Sequence, residues 1–208
     1  GDGNMINTVV KSSDYTDRYV TYDVLDDGFG HGALYTVVNQ AENLPTMYQK
    51  FYVYKDMPYA LVQVELGSDN EISTNFMAPI STSGENVVDI GTKTDARALF
   101  VPFSNDGYTA YNPETLNGAH TSYFVTAIFD NNSRNSVIAG SVDHDTWKTG
   151  TSTWATADNG NINFFGAFAG INSKEFTYDF QPHGSIKGTK VSSPKMFLGY
   201  FDDWRDGM

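Results

Sequence analysis

Between Gly140 and Gly150 the run GSVDHDTWKTG sets two carboxylates, an imidazole and an indole within five residues, Asp143 to Trp147. Such groups move protons, ligate metals, stack on sugars or tie down a turn, and each role demands a pattern. Calcium needs Gly at the sixth loop position and an acidic ligand at the twelfth. Neither the stretch from Asp143 nor the one from Asp130 provides them. Zinc needs convergent imidazoles or thiolates; His31, His120, His144 and His183 are scattered without an i, i+4 pair, and there is no cysteine. No metal and no cofactor are expected.

A strained Gly-x-Ser-x-Gly nucleophile turn is absent. Cleavage between two carboxyl groups requires them about 5–10 Å apart across the substrate. Asp143 and Asp145 share a face only if they lie on a strand, and 25 acidic residues make pairing by sequence uninformative. The reading is therefore that Asp143, His144 and Asp145 structure a loop, as carboxylates do when they accept backbone N–H groups in turns. No catalytic residue is assigned. The glycines of GFGHG, Gly28 to Gly32, precede the strand-like ALYTVV rather than a helix, so they read as a hairpin turn, not a phosphate loop.

Trp147 and Trp154 fall in WKTGTSTWATADNG, a Gly-, Thr- and Ser-rich stretch that reads as a loop. Two roles stay open for them. Either each indole stacks on a sugar ring, or it covers the edge of the core with its N–H satisfied by a carbonyl.

Positioning such residues falls to strands. Short period-2 segments recur, with turn residues between them. RYVTYDV (Arg18 to Val24) and ALYTVVN (Ala33 to Asn39) read as one hairpin, YQKFYVY (Tyr48 to Tyr54) and YALVQVEL (Tyr59 to Leu66) as a second. ISTNFM, VVDI, ARALFVPF, TSYFVTAIFD, SVIAGSV, INFFGAFAG, EFTYDF and MFLGYF complete about a dozen expected strands and little helix. The expected fold is all-β, an antiparallel two-sheet sandwich, one domain over residues 1–208.

Thirteen basic against 25 acidic residues give a formal charge of −12, and that field repels phosphate backbones and anionic lipid. Nucleic acid is not an expected partner. No apolar run reaches the about 20 residues that span a bilayer, so no membrane span is expected. An extracytoplasmic location, periplasmic, surface or secreted with the signal removed, is the expectation for this Tyr-, Asn- and Thr-rich composition.

Three runs carry a resemblance: ARALFVPFSNDGYTAY (Ala96 to Tyr111), SYFVTAIFDNNSRNSVIAGSVDHDTWKTG (Ser122 to Gly150) and the closing GYFDDWRDGM (Gly199 to Met208). They resemble the N-terminal β-sandwich of α-galactosidase-like enzymes, glycoside hydrolase family 36 and its relatives. The resemblance implies a galactose-mutarotase-like supersandwich. It also implies that the nucleophile and acid/base aspartates lie on a downstream (β/α)8 barrel of the same polypeptide. That fold takes about 250 residues by itself and cannot lie within these strands. On this reading Trp204 and Arg205 are anchors for the barrel interface, and α-galactoside-type glycans are candidate ligands of Trp147 and Trp154. The function implied is that of a non-catalytic accessory domain supporting the barrel. A free-standing carbohydrate-binding module or lectin is the alternative.

Overall fold

The computed structural model describes residues 9–103, 110–170 and 185–208. Among them fourteen strands form two antiparallel sheets, so the sandwich expected from the period-2 pattern is present. No helix among the described residues is long and apolar enough to cross a membrane.

The chain opens with a meander of β1 (Asp17–Asp27), β2 (Gly30–Gln40), β3 (Thr46–Tyr54) and β4 (Tyr59–Thr74). Turn chemistry fixes its register. The Asp27 carboxylate accepts the Phe29 N–H at 2.8 Å, pairing Asp27 with Gly30 across a two-residue turn. At the second hairpin Asp56 takes φ +58°, the left-handed conformation that Asp tolerates better than most side chains. A single residue, Asn75, then carries the chain from β4 into β5 (Phe76–Val88), which belongs to the other sheet. The segment ISTNFM, expected as one strand, straddles this corner.

β6 (Ala96–Phe100) and β7 (Asn112–Thr115) return to the large sheet, and β8 (Gly118–Tyr123) joins the small one. TSYFVTAIFD, also expected as one strand, breaks at Phe124. β9 (Val125–Asp130) and β10 (Ser136–Ser141) lie in the large sheet, β11 (Thr149–Ala155) and β12 (Ile162–Gly170) in the small one, and β13 (Ile186–Ser192) and β14 (Met196–Phe201) close the large sheet. β7, β11 and β13 were not expected from the sequence. The expected strand EFTYDF, Glu175 to Phe180, lies outside the described residues. A four-residue helix α1 (Trp204–Gly207) ends the fold.

The large sheet runs β1-β2-β3-β4-β14-β10-β9-β6-β7, with β13 also pairing β4; the small one runs β5-β12-β11-β8. Between them lies a core of Ile128, Val137 and Ala139 from the large sheet against Ile162 and Phe165 from the small, with Ile90 and Leu116 at its margins. The small sheet is too narrow to cover its partner. Beyond it, β1 to β3 carry exposed Val20, Tyr22, Val24, Tyr35 and Val53 on one common face.

Candidate functional site

The segment from Ser141 to Thr149 joins β10 in the large sheet to β11 in the small one, so the acidic run is a crossover between layers. A second crossover, Phe124, lies beside it. Phe124 takes φ +65°, an outlier for a bulky side chain that costs on the order of 1–3 kcal/mol. Neighbours hold it there. Its N–H donates to the Thr149 carbonyl at 3.1 Å and its carbonyl accepts the Ser141 N–H at 2.9 Å. The two crossovers are thus bonded to each other at both ends.

The side chains of the loop serve the same corner. His144 lays its ring edge-on to Phe124, centroids 5.2 Å apart, and its Nδ1 lies 3.0 Å from the Ser141 hydroxyl. The Asp143 carboxylate accepts the Lys195 N–H at 3.2 Å. Asp145 is exposed. Phe103 stacks on Phe124, and the Lys148 ammonium sits 3.8 Å from the Phe103 centroid. Asp143 and His144 face different partners, and no group of three or more metal-ligating side chains occurs among the described residues.

Trp147 is turned inward. Its indole packs against buried Met47, Met77, Ala167, Ala169 and Met196, and its N–H donates to the Ser192 carbonyl at 3.2 Å. Gly170 makes room for it: a Cβ there would lie 2.8 Å from the ring and 2.0 Å from the Asn75 carbonyl oxygen.

Trp154 is on the opposite side of the small sheet. The stretch read as a loop is β11, whose Thr149, Thr151, Thr153 and Ala155 point into the core and are buried. Gly150, Ser152 and Trp154 therefore face out, and Trp154 is 46% exposed. The two tryptophans are not brought together.

Trp204 and Arg205 lie on α1, which docks on the outer face of the large sheet. Trp204 packs its ring on Phe129 at a centroid distance of 5.3 Å, and its backbone N–H donates to the Arg134 carbonyl at 3.0 Å. Gly207 permits the close approach, since a Cβ there would lie 2.4 Å from Ile138. Arg205 is bonded back to Asp203, its Nε at 2.9 Å. That hydrogen bond holds the Asp203 carboxyl well below the usual carboxylate range and raises Arg205. Under Trp204 is a cavity of about 290 Å³ lined by Leu99, Pro113, Ala127, Phe129 and Met208, with Arg97 and Asn131 at its polar side.

Neither a family model nor a curated protein matches the chain. Among solved structures it is similar to the crystal structure of the α-galactosidase from Lactobacillus brevis, with a TM-score of 0.53 at 8% identity, covering 90% of this chain. At that identity the likeness shows the fold alone. The match takes in only 26% of that enzyme's chain, so this sandwich corresponds to one part of a longer molecule.

Proposed function

We propose that the chain is a non-catalytic accessory sandwich of an α-galactosidase-like glycoside hydrolase, supporting a catalytic barrel that lies elsewhere in the same polypeptide. The observation that carries this is the likeness to 26% of an α-galactosidase chain over 90% of this one. The outer face of the large sheet supports it. There the cavity under Trp204 is lined mainly by apolar side chains and by no carboxylate, which suits the packing of a neighbouring domain better than hydrolysis. Trp204 and Met208 are the contact residues of this proposal, and Arg205 positions the helix that presents Trp204. The proposal includes an extracytoplasmic location.

The test is to incubate the purified chain with an aryl α-galactoside and follow release of the phenol. No turnover is expected. In the longer polypeptide encoded by the reading frame, turnover is expected and Trp204→Ala lowers the melting temperature. Hydrolysis by the chain alone that vanishes in Asp143→Ala or Asp145→Ala overturns the reading.

A further inference from the structure

We infer that the outer face of the small sheet is a binding platform for an uncharged oligosaccharide chain. This goes beyond the accessory-domain reading and does not depend on it, because the face lies on the layer opposite Trp204.

In a sheet with one buried face, alternate residues point to solvent, and on an acidic chain those positions are expected to include charged residues. Here they do not. Where β5, β12, β11 and β8 run side by side, the outward residues fall in two cross-strand rows: Ser83, Phe164, Trp154 and Ala119, then Ser81, Gly166, Ser152 and Thr121. Neither row holds an Asp, Glu, Lys or Arg, although the chain as a whole carries a net charge of −12.

The rings on this face lie down instead of standing up. A Cβ on Gly166 would come 3.1 Å from the tip of the Phe164 ring, and one on Gly150 would come 2.7 Å from the tip of the Phe168 ring. Both rings therefore lean across glycines, whose lack of a side chain makes room for them. Phe76 extends the surface, its centroid 5.9 Å from that of Phe168 in a stacked arrangement. Trp154 is the most open of these rings, 46% exposed, and is paired across the strands with Phe164.

From Phe164 to Phe168 is about 13 Å along one strand, longer than a single sugar ring. Hydroxyls accompany the rings: Thr121 and Ser152 lie 3.3 Å apart, and Ser81 and Ser83 are exposed. Apolar rings beside hydroxyls in two uncharged rows match the apolar ring faces and hydroxyl rims of neutral sugars, and the Lys148 ammonium at the edge of this surface lies over the Phe103 and Tyr123 rings. The two rows themselves offer no counter-charge to a uronate or sulfated chain, a nucleic acid or an acidic peptide. Ligand stacking on such rings retains the amphipathic contact that aromatic side chains favour.

The probes are galactomannan and a soluble β-glucan as neutral chains, with polygalacturonate as the charged comparator, read by affinity electrophoresis in gels containing each polymer. At least one neutral polymer is expected to retard the protein and polygalacturonate is not. Trp154→Ala should weaken the retardation at least tenfold. Trp154→Tyr should keep most of it, and Tyr22→Ala, a comparably exposed aromatic on the large sheet, should leave it unchanged. Circular dichroism of each variant separates loss of binding from loss of fold. Absence of retardation by both neutral polymers overturns the inference, as does Trp154→Ala binding like the parent. Neither result touches the accessory-domain reading, whose own test is turnover.

Discussion

Asp130 is a carboxylate with no solvent exposure, and four donors decide its charge. Burial alone would push its pKa up. The Ser133 and Asp95 backbone N–H groups, at 2.8 and 2.6 Å, and the Ser133 and Thr94 hydroxyls outweigh that and hold it at about 2, against an ordinary 3.8. It thus ties the entry of β6 to the turn after β9. A carboxyl whose folded pKa lies below its unfolded one stabilises the fold above the unfolded value and loses that contribution as pH falls through the folded one. The shift corresponds to about 2 kcal/mol. Asp130→Asn should therefore lower Tm by roughly 4–8 °C at neutral pH for a domain of this length. The gap between parent and variant should close between about pH 4 and pH 2, read by thermal melts across that range. A gap that stays constant with pH would mean that the carboxylate's charge is not what the corner uses.

The strands show where local pattern governs and where it does not. Both hairpins of the opening meander are legible because Gly, Asp and Pro punctuate them, and their strands alternate cleanly. The sheet switches at Asn75 and Phe124 are not, because alternation continues unbroken through a one-residue corner that tertiary bonds impose. β11 was hidden for a different reason. Its inward side chains are threonines, so burial produced no hydrophobic period, and Trp154 stood out as an isolated aromatic rather than as one ring of a surface. The signal that could have found its neighbours was FFGAF, Phe164 to Phe168, with a glycine set between rings. Two glycines test how corners differ from open turns. Gly118 and Gly170 both have positive φ, +72° and +88°, but a Cβ meets nothing within 4 Å at Gly118 and lies 2.0 Å from the Asn75 oxygen at Gly170. Gly118→Ala should cost only the backbone penalty, about 1–2 kcal/mol. Gly170→Ala should cost several kcal/mol more, since both the Asn75 corner and Trp147 must move. Equal losses in denaturant melts would show that the corner yields easily.

At the scale of the whole molecule the two sheets differ in width, and stability should differ with them. Where β9, β10 and β14 face the small sheet, Ile128, Ala139 and Met196 point inward and have almost no exposure. Toward β1 no second layer among the described residues covers the large sheet, and Val20, Tyr22 and Val24 are 61%, 57% and 81% exposed. Among the described residues strand β1 also has an unpaired edge. A segment that buries little can open without exposing the core, so its amides exchange through local rather than global unfolding. Hydrogen exchange read by mass spectrometry should show peptides over residues 17–27 exchanging orders of magnitude faster than those over 125–130 and 136–141. Denaturant should accelerate the second set and leave the first nearly unchanged, because only global opening exposes substantial surface. If β1 is instead as protected as β10 in the isolated chain, something covers its face in solution. A protection that rises with protein concentration would identify a second copy of the chain as that cover.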